Sequence, residues 1–536
     1  MTDRAAAGWA SIPFLAAALV FFGTRSLDFA LDDVPLVRDN PAIRDLGRLP
    51  ALFGEPYWVT PGEDYGLYRP VTVASLALNR ALTGEGPAGF HLGNVLLHAI
   101  ASALSWFVAR KIGVHYGTAL AASLLFAVHP LRVEAVANVA GRAEVLAALF
   151  VLAAWLSHRR VAESRGGAAT GFSLLAGLLW LGAVLSKESA ILAPCVFAAD
   201  DLLRGRKKRE RSRAPGAAWG GYALAAFAAL VLRSNALDGL GGPAATVYLD
   251  NPAAFEGTFA RIATALWVHV RYLGLLVWPA TLSSDYSFDA IPVVASFGDP
   301  RLWAGCAVAA ALAAALAWTW NRGRRTEAVA LLAWTAFLLP GSNLLFATGT
   351  IMGERLTYLP AFGAFLLAGH GLAALAEAGG RRGARRAAGG VAIALGAALT
   401  IACSARSLLR IPAWKDNLTL ATEDVLAFPR SAKLQAGAGI FLAAEKRYQE
   451  AEPHLKEAVR IWPDYAQAHY NLSVLLLARG ANEEGIDHLL RANALAPGNP
   501  SPVRLLEKLR DDPRMPEDLR RRIRAEMRGP QAPAAR

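Results

Sequence analysis

Residues 204–213 read Arg-Gly-Arg-Lys-Lys-Arg-Glu-Arg-Ser-Arg, seven cations and one acid held between the apolar runs 189–203 and 214–232. A charge block this dense cannot enter hydrocarbon, whereas the runs flanking it can, so the segment reads as a loop tying two membrane helices to one side of a bilayer. Four shorter segments repeat the pattern: Arg110-Lys111; Arg159, Arg160 and Arg165; Arg322, Arg324 and Arg325; and Arg381, Arg382, Arg385 and Arg386. Together the five hold nineteen of the 55 Lys and Arg residues with only Glu163 and Glu210 as acids, leaving the rest of the chain at a net charge of about −5. The formal charge of +12 is therefore a topology signal, and it does not call for a nucleic-acid partner.

Composition agrees. Of 536 residues 54% are hydrophobic and only 18% charged, with mean hydropathy +0.31, which excludes a soluble enzyme of ordinary make-up. Apolar runs near 9–24, 89–109, 117–130, 144–157, 170–186, 189–203, 214–232, 258–280, 302–320, 328–348, 356–376 and 387–405 suit helices in lipid. Keeping every basic segment cytoplasmic makes 258–280, with His269, Arg271 and Trp278-Pro279, an interfacial or re-entrant helix. The fold class expected is all-α: a polytopic membrane protein with about eleven transmembrane helices, its N-terminus in the cytoplasm. Cys195, Cys306 and Cys403 lie far apart in apolar runs and form neither a disulfide framework nor a metal-ligand spacing.

From about Ile411 the composition becomes that of a soluble helical domain. Leu455 and Leu489, Ala458 and Ala492, and Pro463 and Pro497 are each separated by 34 residues, the tetratricopeptide period. Registers beginning at Ala432 and Ala466 place Gly439, Ala451, Ala458, Gly485 and Ala492 where small residues let paired helices approach, and Gly480 also matches the repeat pattern. Residues 412–430 then read as a degenerate half-repeat and 501–526 as a capping helix. The expected division is 1–411 for the membrane domain, 412–528 for the repeat domain and 529–536 for a disordered tail.

Chemistry-bearing residues concentrate in the stretches assigned to the outer face. Asp32-Asp33 follow the first membrane helix, and a carboxylate there can act as a general base or a metal ligand; equally, it can cap a helix. Arg69, then His91, Asn94 and His98 on one helical face, come next, the latter three serving either a substrate or interhelical packing. His129, Arg132, Glu134, Arg142 and Glu144 cluster after the third run, and Lys187-Glu188 and Glu354-Arg355 repeat the pairing of a cation with a carboxylate at a helix end. Cations so placed suit a lipid-linked phosphate, with arginine offering a bidentate fork. His129 and Glu134 leave a divalent cation open as a cofactor, although no spacing compels one.

The series Asp32-Asp33 with Asn40-Pro41, Tyr68-Arg69-Pro70, Phe90-His91 with Asn94 and His98, His129-Pro130 with Glu134-Ala135-Val136, Gly141-Arg142-Ala143, and Glu354-Arg355 with Tyr358-Leu359-Pro360 resembles the transmembrane and tetratricopeptide-repeat O-mannosyltransferases of the GT-C glycosyltransferase superfamily. The resemblance covers essentially the whole chain. It implies a GT-C membrane fold, a polyprenyl-phosphate-linked sugar donor, and an acceptor hydroxyl, on a protein Ser or Thr, at the outer face. It also implies that an acidic residue of the first loop is the base, carried here to Asp32 with Asp33 as second choice. Arg132 departs from the family pattern, which usually has a second His there, and the repeat array is shorter than in eukaryotic members. Richness in Ala, Gly and Arg points to a bacterial source, hence to the inner membrane as location.

The reading on these grounds is an inverting membrane glycosyltransferase moving a mannose-like sugar. Asp32 takes the acceptor proton; Arg142, Lys187 and Arg355 meet the departing phosphate; and Arg69, His91, His129, Glu134, Glu188 and Glu354 complete the substrate site. An extracytoplasmic repeat domain would present the acceptor protein. The rival is a non-catalytic membrane scaffold whose working part is the repeats. A transporter is disfavoured, since no inverted repeat of short broken helices is visible.

Overall fold

A computed structural model describes residues 3–58, 66–207, 215–237, 239, 246–378 and 382–528. Much of the basic block 204–213, and the tail 529–536 expected to be disordered, lie outside them. Among the described residues the secondary structure is helical, with no strand. The chain divides into two compact units, Met1–Ser284 with Val293–Asp416, and Asp285–Pro292 with Asn417–Arg536. The division thus falls five residues beyond the expected 411, and a short segment of the earlier sequence, 285–292, joins the second unit.

The first unit is built from α1 (Asp3–Phe21), α2 (Pro70–Thr83), α3 (Pro87–Lys111), α4 (Tyr116–Val128), α5 (Val133–Ala137), α6 (Arg142–Glu163), α7 (Gly166–Val184), α8 (Ala193–Lys207), α9 (Pro215–Ala236), α10 (Gly257–Val277), α11 (Pro300–Asn321), α12 (Arg325–Leu338), α13 (Ala361–Glu377) and α14 (Arg382–Arg410). Among the described residues seven stretches are long and apolar enough to cross a membrane: Ala6–Ser26, Pro87–Lys111, Val139–Glu163, Gly166–Val184, Gly257–Val277, Pro300–Asn321 and Ala384–Trp414. An eighth arises if Tyr116–Val128 and Pro130–Ala137, bent by 54° at Pro130, act as one span. By length and composition the described residues therefore support seven or eight crossings, short of the eleven expected, because several apolar runs fold as helices under 18 residues, such as α12 and α13. The stretch read as interfacial or re-entrant, Gly257–Val277, is one unbroken 21-residue helix that meets the same criterion.

Burial orders these helices. In the apolar window of Val139–Glu163, 72% is buried inside the protein, against 6% for Ala384–Trp414, so α6 is a core helix and α14 a peripheral one. Helix α3 packs on α1, α4 and α6, while α7 joins α6 to α9. Glycine makes the closest of these approaches possible. A Cβ on Gly177 of α7 would lie 2.4 Å from the Gly221 carbonyl of α9, and one on Gly221 would lie 2.4 Å from the Ser173 carbonyl, so two facing glycines let the backbones touch.

Residues 27–58 fold back over the helix ends as short turns. Asn40 starts one of them, accepting from the Ala42 amide at 2.8 Å and donating to the Leu36 carbonyl at 3.1 Å. Phe29, Leu36, Val37, Ile43 and Tyr57 of this loop share a core with Val73 and Leu76 of α2, Phe90 of α3 and Val139. That apolar anchor fixes the position of Asp32 and Asp33.

The second unit contains α15 (Asn417–Ala427), α16 (Ala432–Ala444), α17 (Tyr448–Ile461), α18 (Ala466–Ala478), α19 (Asn482–Leu495), α20 (Pro500–Asp511) and α21 (Glu517–Arg528). Helices α16, α18 and α20 start at intervals of 34 residues, as the period demands. Leu442, Leu455, Leu472 and Leu476 form a buried cluster between the first two pairs, and Gly439 sits where a Cβ would come within 2.6 Å of Leu455. The stretch 501–526, expected as one capping helix, is instead a third helical pair, because Pro513 and Pro516 interrupt it. The segment 285–292 is held in this unit by Ala432 donating to the Phe288 carbonyl at 2.8 Å and by ion pairs of Asp285 with Lys433 and Asp289 with Arg430.

Candidate active site

Three ion pairs gather residues from five separate stretches of the first unit. Arg69, immediately before α2, holds Glu188 through a forked contact, Nη2 to Oε2 at 3.0 Å and Nε to both oxygens at 3.2 Å. Its guanidinium also lies 4.9 Å from the centre of the Tyr57 ring. Lys187 pairs with Glu144 in the first turn of α6, both nearly buried. Arg355 pairs with Glu134 of α5, whose second oxygen accepts from the Arg355 backbone amide at 2.7 Å.

These pairs form one electrostatic cluster. Glu144 acts on Arg69, Lys187 and Arg355, and Lys187 feels both arginines. Asp32 acts on Arg355, on Tyr57 and on Asp33. Burial, aided by the two neighbouring arginines, holds the Lys187 ammonium below its ordinary pKa despite Glu144. Glu134 raises Arg355 above its ordinary value. Burial works against the charges of Arg69 and Glu188, yet their mutual attraction prevails, raising the arginine and lowering the carboxyl. Tyr57 is pushed up to about 12, chiefly by burial.

Four carboxylates thus face three cations: Asp32, Glu134, Glu144 and Glu188 against Arg69, Lys187 and Arg355. Among the described residues Asp32 alone of the four has no ion pair, and it is only partly buried. Its neighbour is different. Asp33 is fully buried, its Oδ1 accepts from the Ala140 amide at 2.7 Å, and its Oδ2 has no hydrogen-bond partner among the described residues. Burial lifts its carboxyl to about 7, against the amides of Ala140 and Val139. The two acids anticipated as alternatives for one role therefore occupy different environments, Asp32 facing the cations and Asp33 pinning the first loop to the turn before α6.

Several residues expected to touch substrate are occupied by the protein itself. Arg142, anticipated as a phosphate clamp, is 1% exposed and directs its guanidinium to the Asn94 side chain at 2.7 Å, the Asn79 side chain at 2.6 Å, the Phe90 carbonyl at 2.8 Å and the Ser75 carbonyl at 3.2 Å. It fastens α6 to α2 and α3 and has no face left for a phosphate. His91 is buried with Nε2 3.3 Å from the Asp28 carbonyl. His98 lies between the Tyr358 hydroxyl at 2.6 Å and the Ala127 carbonyl at 2.9 Å. Asn94 donates to carbonyls of Val136, Asn138 and Val139. His129 is 3.1 Å from the Leu276 carbonyl and accepts the Leu131 amide, and Arg132 donates to the Thr357 and Tyr358 carbonyls. Glu354 is buried and accepts from the Ser283 amide at 2.7 Å. His129 and Glu134 are thus each engaged by other groups of the protein, and among the described residues no group of three or more His, Cys, Asp or Glu is arranged to hold a metal.

Two tyrosines escaped the sequence reading. Tyr57 stacks under Arg69, and Tyr272 of α10 brackets Gly353 by accepting from its amide and donating to its carbonyl, both at 3.1 Å, which fixes the turn carrying Glu354 and Arg355. A hydroxyl in an apolar helix was the available signal for Tyr272; nothing marked Tyr57.

A family model described as "Protein O-mannosyl-transferase TMTC, DUF1736" matches residues 244–313, and a tetratricopeptide-repeat model matches 442–509. Similar proteins include Protein O-mannosyl-transferase Tmtc1 of Drosophila melanogaster, 29% identical over 88% of this chain and 63% of its own length. Protein O-mannosyl-transferase TMTC1 of Homo sapiens is 29% identical over 88% of this chain and 57% of its own. Protein O-mannosyl-transferase F38B6.6 of Caenorhabditis elegans is 28% identical over 82% and 61%. The chain spans less than two thirds of the length of these relatives.

Proposed function

We propose that this chain, similar over most of its length to the protein O-mannosyl-transferases of the transmembrane and tetratricopeptide-repeat family, is a multi-pass membrane glycosyltransferase that mannosylates a hydroxyl of an acceptor protein from a polyprenyl-phosphate-linked donor. The observation that carries the reading is the carboxylate of Asp32, unpaired and partly accessible beside Arg355, in a cluster where every other carboxylate has a cation.

In this mechanism Asp32 accepts the proton of a Ser or Thr hydroxyl while the hydroxyl oxygen bonds to the anomeric carbon. The bond from that carbon to the phosphate oxygen breaks, its electron pair leaves with the polyprenyl phosphate, and the anomeric configuration inverts. Negative charge grows on the leaving phosphate, so cations already placed and partly desolvated stabilise it without reorganising. Arg355, with 29% of its side chain open, and Arg69 are the accessible candidates, and Lys187 supports them from the interior. Glu134, Glu144 and Glu188 hold these cations in place and keep three like charges from repelling one another.

The repeat pairs supply a surface suited to binding the acceptor polypeptide, and the distribution of basic segments supports an extracytoplasmic cluster and repeat domain in a bacterial inner membrane. Purified protein in liposomes, given a polyprenyl-phosphate sugar labelled in its mannose and an acceptor rich in Ser and Thr, should transfer label with inversion. Failure with all polyprenyl-phosphate sugars tested would favour the scaffold reading.

A further inference from the structure

At the end of the bundle opposite the carboxylate cluster, α3, α6 and α7 line an open groove of about 310 Å3 walled mainly by apolar side chains, among them Phe107, Leu156, Phe172 and Leu175, with Lys111 and Arg160 at its polar edge. Arg142 and Arg160 are eighteen residues apart on α6, a rise of about 27 Å and so close to a hydrocarbon thickness. An apolar groove between helices that are long and apolar enough to span, edged by cations at helix ends, has the polarity that suits an acyl chain with an anionic headgroup.

The neighbouring cations are otherwise engaged. Arg110 stacks 3.5 Å from the Tyr116 ring centre, and Arg159 pairs with Asp200 and Asp201. Lys111 and Arg160 instead share one carboxylate, Glu163, at 2.9 Å and 3.4 Å. Both remain partly open, 34% and 57% of their side chains, so the edge of the cavity carries one positive charge in excess beside accessible donors. The Ser157 hydroxyl, also on the lining, is satisfied by the Phe172 carbonyl at 3.0 Å and does not compete.

We propose that this groove is a binding site for an anionic glycerophospholipid of the leaflet opposite the carboxylate cluster, its phosphate held by Lys111 and Arg160 and one acyl chain lying between α3, α6 and α7. One excess charge near a bilayer surface corresponds to roughly a five-fold preference for an anionic over a zwitterionic lipid.

The test uses the full chain, delipidated in detergent, exposed to mixed micelles of phosphatidylglycerol and phosphatidylcholine with matched chains, with bound lipid counted by native mass spectrometry. Wild type should retain phosphatidylglycerol about five-fold over phosphatidylcholine. Lys111→Gln combined with Arg160→Gln should abolish the preference while the melting temperature in phosphatidylcholine stays at the wild-type value. Leu175→Trp, which fills the slot and keeps both cations, should reduce retention of phosphatidylglycerol. Equal retention of the two lipids by wild type, an unchanged preference in the double variant, or retention undiminished in Leu175→Trp overturns the proposal. So does displacement of bound phosphatidylglycerol by free glycerol phosphate, because the site would then read the phosphate alone.

Discussion

The Asp33 carboxylate and the Ala140 amide are joined by a 2.7 Å hydrogen bond across 107 residues of sequence, and this bond locks the first loop onto the turn that starts α6. The same turn leads into Arg142, which ties α6 to α2 and α3, so the loop bearing Asp32 is positioned by buried contacts. Among the described residues Asp32 itself is left without an ion pair. A reactive group held by its neighbours and not by its own bonds is what a positioned base requires.

The Asp33 carboxyl sits at about 7 in the folded chain, above its value of roughly 3.9 when unfolded. The folded state therefore binds this proton more tightly, and the contribution of Asp33 to stability declines as pH rises from about 4 to about 7. Asp33→Asn keeps an oxygen for the Ala140 amide and removes the titration. The melting temperature of the variant relative to wild type should rise between about pH 5 and about pH 8. A difference that stays flat across that range would show that Asp33 is ionised at both ends of it.

Arg142→Lys retains the charge and loses the fork that meets Asn94 and Asn79. Stability should fall by about 3 kcal/mol or more, since buried acceptors lose charged donors. Thermal unfolding should register this as a lower melting temperature, and transfer per folded molecule at a temperature where the variant is folded should change much less. A large loss of transfer with unchanged melting would return Arg142 to the substrate site.

Lys187→Met leaves Glu144 buried beside an apolar chain and should destabilise by about 3–5 kcal/mol. Adding Glu144→Gln should recover most of that loss, because the uncompensated charge disappears with it. Additive losses in the double variant, measured by melting temperature, would show that the two side chains do not depend on each other.

The architecture was legible where periodicity is strong. The 34-residue spacing gave the starts of α16 and α18, since small residues at helix crossings are needed wherever paired helices pack. The ion-pair cluster was legible too, as a cation beside a carboxylate at successive helix ends. What sequence did not reveal was the partner of each polar group. His98, His129 and Arg142 look the same in the chain whether they meet a phosphate or a backbone carbonyl, and bends such as that at Pro130 expose carbonyls that only the fold reveals. The number of crossings is less legible for a related reason: an apolar run shows that burial is favoured and does not say whether lipid or protein covers it.

In the proposed mechanism Asp32 removes the acceptor proton. Asp32→Asn preserves the size of the side chain and, with no ion pair to lose, should leave insertion and melting temperature as in wild type. Transfer from a polyprenyl-phosphate sugar to an acceptor protein, measured on the purified variant, should fall by roughly 10²–10⁴-fold. Transfer by Asp32→Asn at a rate near that of wild type would show that Asp32 is not the base.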